Sequence, residues 1–142
     1  MELLRRNPAT VPFLTVAAAE LVAPAEHGVA PRRGASIDYT AGEDRRAPGT
    51  RLFWGPYVAL AAGVYLLRFN GRLDGTLAVE FAHDRGNRVI AAETLAGFER
   101  YCCLVLTRPV ADLEIRGAKT AELRGFSLES IAVHRLFCPP AG

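Results

Sequence analysis

The chain has 142 residues, half of them apolar and 23% charged, with a formal net charge of +2. That length holds one domain with a real core and excludes two independent ones, and the balance of residue types excludes a disordered chain. The basic residues come as scattered pairs (Arg5-Arg6, Arg32-Arg33, Arg45-Arg46) with no basic stripe and no interleaved aromatics, so a nucleic-acid surface is not expected.

The opening stretch, "MELLRRNPATVPFLTVAAAELVAP", has an apolar run after a basic pair. Pro12 and Glu20 interrupt it and no small-residue cleavage site closes it, so a signal peptide is not expected. No stretch approaches the roughly 20 apolar residues of a membrane span. Val16–Ala23, "VAAAELVA", has the alanine content of a helix but is short and bracketed by prolines, which leaves strand and helix both open. Residues 1–34 are therefore expected to be one strand or short helix plus a loop, belonging to the same domain as the rest.

From Gly34 onward the organising signal is period two. The expected strands are Ala35–Thr40, Arg51–Leu60, Val64–Phe69, Thr76–His83, Arg88–Leu95, Tyr101–Thr107, Asp112–Arg116 and Leu128–Leu136. Alternation puts Tyr65, Leu67 and Phe69 on one face, likewise Leu77, Val79 and Phe81, and Leu113 with Ile115. Turn residues fall between strands: Asn70-Gly71, Asp74-Gly75, Asp84 to Asn87, Gly97, Pro109, Gly117 and Gly125. Ala41–Gly49, rich in Pro, Gly and charge, reads as a loop. Turn signals at about 8 to 12 residue spacing, with no long helical segment between strands, give an all-β antiparallel β-sandwich of about eight to nine strands over 35–136, followed by a C-terminal tail, 137–142.

Enzyme signatures are missing. There is no Gly-rich phosphate loop, no nucleophile elbow and no His pair at metal-ligand spacing. His134 on the last strand reads as an exposed or hydrogen-bonded side chain, and His83-Asp84 as the end of a strand and the start of a turn. Glu80, Glu93, Asp112, Glu114 and Glu129 all fall on outward strand positions, where solvation accounts for them and no pair stands out for glycoside hydrolysis. Three cysteines, two of them adjacent, make no disulfide framework; one of Cys102 and Cys103 points inward and the other out, and reduced thiols suit a cytoplasmic protein. The aromatics carry more. Trp54, Tyr57 and Tyr39 lie in or beside the polar loop before Gly49, and an exposed ring suits the apolar C–H face of a pyranose. Arg45, Arg46 and Arg51 then offer hydrogen bonds to hydroxyl or acidic groups. The competing reading has Phe53, or Trp54 itself, in the core with Tyr57 packed over the Gly-Pro corner.

"WGPYVALAAGVYLLRFNGRL", "LAVEFAHDRGNRVIAAETL" and "FSLESIAVHRL" together resemble the jelly-roll β-sandwich domains similar to carbohydrate-binding modules of bacterial polysaccharide-related proteins. The matching positions are Leu60, Gly63, Tyr65 and Phe69, then Ser130, Ile131, Val133, Arg135 and Leu136, within Gly34 to Leu136. The resemblance implies a non-catalytic, lectin-like role in recognising glycans, in some members with a structural calcium ion. Glu20, Asp38, Glu43 and Asp44 are the scattered oxygen donors available for such an ion, and no other cofactor is expected.

The expected function is binding of a saccharide or glycoconjugate without altering it, at Trp54, Tyr39, Tyr57, Arg45, Arg46 and Arg51. The alternative is a structural module for protein interaction or homo-oligomerisation, for which the small outward residues Ala78, Ala82, Ala91 and Ala92 suit a covered second face. A cupin-like or glycosidase-like enzyme is the third.

Overall fold

The computed structural model describes residues 13–32 and 35–136, so the expected tail at 137–142, Cys138 within it and the start of the chain at 1–12 lie outside the described residues. Among the described residues eleven strands, rather than eight or nine, follow in chain order: β1 Leu14–Ala17, β2 Val29–Arg32, β3 Ser36–Thr40, β4 Arg51–Phe53, β5 Pro56–Leu60, β6 Gly63–Asp74, β7 Leu77–His83, β8 Arg88–Leu95, β9 Cys102–Leu106, β10 Val110–Lys119 and β11 Gly125–Arg135. They form two antiparallel sheets. One has the order β2-β3-β11-β6-β9 with β1 also on β11, the other β4-β10-β7-β8 with β5 also on β10. The fold is a β-sandwich, as the alternation predicts.

The inward rows are those the period-two pattern names. Tyr65, Leu67, Leu77, Val79, Phe81, Leu113 and Ile115 are all fully buried, and each contributes about 1.5 to 3 kcal/mol by leaving water. Cys102 is buried and Cys103 exposed, as neighbours on β9 must be. The ambiguous Val16–Ala23 divides: its first two residues end β1, and Ala18–Glu20 form one 3-10 turn.

Several turn assignments give way. Asn70-Gly71 lies inside the long strand β6, at a bulge against β11 between Leu128 and Ser130. Gly71 has φ 141, and its α-carbon passes so close to the Ser127 carbonyl that a β-carbon has no room. Gly117 lies inside β10, where the Phe53 ring occupies the place of a side chain. The expected loop after Pro24 holds β2, because Val29 to Arg32 find partners in Tyr39 to Ser36. The single strand expected at Arg51–Leu60 is two, both on the same edge of β10 and separated by a corner at Trp54-Gly55.

That corner positions the site. Between β4 and β5 Trp54 turns to Val22, with which it exchanges both backbone hydrogen bonds (2.7 and 3.0 Å), while the Gly55 carbonyl accepts from the Ile115 N–H of β10 (2.6 Å). The Gly55–Pro56 peptide is cis, Gly55 has φ 126 and Tyr57 has φ 67, and β5 begins with Pro56 opposite Glu114. Phe53 goes fully into the core and Trp54 is half-buried.

Candidate functional site

The outer face of β10 carries Asp112, Glu114, Arg116 and Ala118, the residues alternation sends away from the core. Glu114 and Arg116 are nevertheless only 4% exposed. The expectation of a solvated Glu114 is corrected here, because two distant segments cover it: the corner residue Tyr57 on one side and the turn after β7 on the other. Glu114 accepts from Tyr57 Oη at 2.6 Å and from Arg116 Nη1 at 2.8 Å. Arg116 also donates to Glu80 Oε1 (2.9 Å), directly opposite on β7, and to the Gly86 carbonyl (3.0 Å). A chain Tyr57–Glu114–Arg116–Glu80 thus runs across the sheet. A carboxylate placed against the phenol disfavours phenolate, and with burial it pushes the Tyr57 hydroxyl up to about 12.

Above Glu114 lies an open cleft of about 520 Å³, bounded by Arg51, Trp54, Tyr57 and Arg85. Tyr57 is 45% exposed, so its ring offers a face to solvent while its hydroxyl is tethered below. Arg85 stands on a turn in which Asp84, Arg85 and Gly86 all have positive φ (56, 57 and 81). Asp112 holds that turn by accepting from the backbone N–H of Asp84 (2.9 Å) and of Arg85 (2.7 Å), which keeps its carboxyl below the usual range. Farther along the same sheet face, Ala78, Ala92 and Ala118 leave a second depression of about 360 Å³, which Glu80 also borders. Arg51 pairs with Ala118 in register and so stands between the two.

Of the six residues named from sequence, the structure brings Trp54, Tyr57 and Arg51 to one cleft. Tyr39, Arg45 and Arg46 are not part of it. Tyr39 is 3% exposed, stacked on Phe126 at 5.5 Å, and follows Ile37 on the inward face of β3, so it has no ring face to offer. Arg46 is committed to Asp44 (Nε to Oδ1 2.9 Å, Nη2 to Oδ2 3.2 Å), which also accepts from Tyr39 Oη at 2.7 Å and lies 3.3 Å from Lys119 Nζ. The buried Asp44 is a pin for the loop expected to reach a ligand, and the cations around it hold its carboxyl far below the ordinary range. Arg45 is exposed. Arg85 and Glu114 are the cleft residues that sequence reasoning missed as site residues; Asp84 to Asn87 signalled the turn, but no local pattern shows which strand it leans over.

Of the oxygen donors named for a calcium ion, three have partners within the chain. Glu20 accepts from the Ala17 N–H, Asp38 from the hydroxyls of Ser36 and Ser127, and Asp44 is engaged as above. Among the described residues no three of His, Cys, Asp or Glu stand together to hold a metal ion. His134, expected to be exposed or hydrogen-bonded, is 4% exposed, and its Nδ1 is buried without a hydrogen-bond partner among the described residues. β11 runs through the middle of its sheet, so even its outward residues are flanked on both sides. Tyr101 meets the His134 ring edge-on at 5.6 Å, and burial pushes the imidazole pKa down. Among the described residues no helix is long and apolar enough to cross a membrane.

No family model and no curated sequence matches the chain. Solved structures do. Accessory secretory proteins 1, 2 and 3 of Streptococcus pneumoniae include a chain that superposes with a TM-score of 0.59 at 8% identity, over 87% of this chain and 96% of that one. The glycosylation-associated Gap123 complex of Streptococcus agalactiae gives 0.57 at 9% identity, over 92% of this chain and 27% of that one. A family 6 carbohydrate-binding module from the Cellvibrio mixtus lichenase 5A, solved with cellotriose, gives 0.51 at 14% identity, over 89% of this chain and the whole of the module. The chain has the antiparallel β-sandwich fold that these proteins share, as the resemblance in the sequence implies.

Proposed function

We propose that the protein binds a saccharide or glycoconjugate, without altering it, in the cleft between Trp54, Tyr57, Arg51 and Arg85. The observation that carries this reading is the Tyr57 ring, 45% exposed, fixed at a left-handed φ of 67 and tied by its hydroxyl to the buried Glu114. A bulky residue in that region of backbone space is strained, and such strain gathers at ligand sites. A rigid exposed aromatic suits the C–H face of a pyranose, with Trp54 as a second wall. Binding is favoured over hydrolysis by the carboxylates: Glu80 and Glu114 are tied to one guanidinium, Arg116, so they do not flank a glycosidic bond from opposite sides. The test is a glycan array followed by calorimetry with Tyr57→Ala. An affinity loss of about thirtyfold or more supports the reading, in line with an aromatic anchor at the centre of a site. Binding indifferent to Tyr57 overturns it.

One observation favours a protein-interaction role beside this. At the flank of the sandwich β8 and β9 each pair on one side only, and between them Val89 (51% exposed), Ile90 and Val105 (54% exposed) border a cavity of about 520 Å³. An apolar flank with open strand edges suits a docked chain. Light scattering over a concentration series tests self-association there, and Val105→Lys should abolish any that is found.

A further inference from the structure

Resting on the glycan-binding reading, we propose that the cleft selects acidic saccharides, with Arg51 and Arg85 as the groups that take the sugar carboxylate. The buried anion of the site, Glu114, is closed to a ligand. Glu114 is 4% exposed, with one oxygen accepting from Tyr57 and the other from Arg116, and Glu80 accepts from the same guanidinium. Arg51 and Arg85 are exposed and border the cleft, and their guanidinium groups form no hydrogen bond or ion pair with any described residue. Nearby acids are engaged elsewhere: Asp112 accepts two backbone N–H groups, and Asp84 faces Arg88 at 3.6 Å. The charge the cleft presents to a ligand is therefore cationic on two sides of an aromatic ring.

The backbone under Arg85 is set in advance. Asp84 and Arg85 both hold left-handed φ values, 56 and 57, kept in place by the Asp112 carboxylate beneath them, the Arg116 bond to the Gly86 carbonyl and the Asn87 N–H bond to the Asp84 carbonyl (3.0 Å). Tyr57 shares that property, so two of the residues bordering the cleft sit on backbone that a structural role alone does not ask for. A guanidinium binds a carboxylate through two parallel N–H bonds, and an arm on a fixed turn loses less freedom in doing so. A uronic acid residue offers the matching pair of features, an apolar ring face for Tyr57 and a carboxylate at its edge.

The test compares an oligogalacturonate with its carboxyl-reduced neutral counterpart and with a sulfated neutral oligosaccharide, by calorimetry at 50 and 300 mM salt, after an array carrying acidic and neutral glycans. The expected result is at least tenfold tighter binding of the uronate than of the reduced sugar at low salt. That preference should shrink at high salt and fall by at least fivefold in either Arg51→Gln or Arg85→Gln. Neither substitution removes a side-chain hydrogen bond or ion pair among the described residues, so unchanged thermal melting is the control for folding. Equal affinity for the uronate and the reduced sugar overturns the proposal, as does a preference for the sulfated sugar over the uronate, which assigns charge without carboxylate geometry. Neutral binding that is lost in Tyr57→Ala, without acidic preference, overturns this inference alone; no glycan bound on the array overturns the reading beneath it as well.

Discussion

Tyr57 and Glu114 stand 57 positions apart in the chain and meet through a 2.6 Å hydrogen bond, a side-chain link between the corner at Gly55 and the sheet beneath it. The bond orients an exposed ring, and it removes one oxygen of Glu114 from solvent. Arg116 removes the other. Glu114→Ala leaves Arg116, 4% exposed, with Glu80 and a carbonyl only, and breaking a buried pair costs about 3 to 5 kcal/mol. Tyr57→Phe keeps the ring and removes one bond from a partly exposed group, for about 1 kcal/mol. Urea midpoints of the two variants should differ accordingly. In an absorbance titration one phenol should ionise near pH 12, and Glu114→Gln should move it back toward the ordinary value. Because the folded value is raised, the stabilisation is complete below about pH 10 and fades as pH rises toward 12.

Asp44 governs the acid limb. Its side chain is fully buried between Tyr39, Arg46 and Lys119, and its carboxyl is held well below the ordinary range, chiefly by hydrogen bonds from Arg46. A depressed folded pKa stabilises in full above the unfolded value, about 3.9, and the contribution is lost as pH falls below it. Urea midpoints should therefore hold level from pH 8 to about 5 and drop below about pH 4. Asp44→Asn should lower the neutral plateau and flatten that drop, since the amide has no charge to lose. Asp74 and Asp112 are shifted the same way but are exposed or half-exposed at the surface, so the difference between wild type and Asp44→Asn isolates the buried group. A drop of equal depth in both proteins sinks the assignment.

Gly117→Ala tests the core beneath the site. The Phe53 ring lies where a side chain of residue 117 would project, so the substitution forces the ring or β4 to shift. Overpacking of that kind costs about 1 to 3 kcal/mol. Gly117→Ala combined with Phe53→Leu should recover part of the loss, while each change alone destabilises. Thermal melting of the three variants measures it, and strictly additive losses would count against the contact.

What the sequence disclosed and what it withheld divide along a physical line. Period-two alternation is local, so it placed Tyr65, Leu67, Phe81 and Ile115 in the core and put Glu114 and Arg116 on the outer face of β10. Coverage of that outer face is not local. It depends on the corner at Tyr57 and the turn at Arg85, which arrive from residues about 30 to 60 positions away, and no window of sequence carries that. Tyr39 was misplaced for the opposite reason: the alternation Ile37, Tyr39 already put it inward, but its nearness in the chain to a polar loop suggested a rim. Gly71 and Gly117 look like turns because glycine serves turns and close approaches alike, and only the neighbouring backbone or ring tells the two apart.

The turn that carries Arg85 gives the last prediction. Asp84 and Arg85 have φ values of 56 and 57, a conformation that costs non-glycine residues free energy, and the Asp112 carboxylate offsets it by accepting both backbone N–H groups at 2.9 and 2.7 Å. Asp112→Ala removes both acceptors and should lower the local stability of the turn. Hydrogen exchange at the Asp84 and Arg85 amides should then quicken by about tenfold or more, while amides of the β7–β8 ladder, such as those around Val79 and Glu93, keep their protection. In wild type the same amides should quicken relative to that ladder as pH falls below about 4, since the depressed Asp112 carboxyl loses its charge there. Because Arg85 is the arm proposed to meet the ligand and the hydrogen bonds of Asp112 go to the backbone of that turn, binding of an acidic saccharide should weaken several-fold with little change for its neutral counterpart. Exchange that stays slow at Asp84 and Arg85 in Asp112→Ala would show that the Asn87 N–H bond to the Asp84 carbonyl and the Arg116 bond to Gly86 hold the turn without the carboxylate.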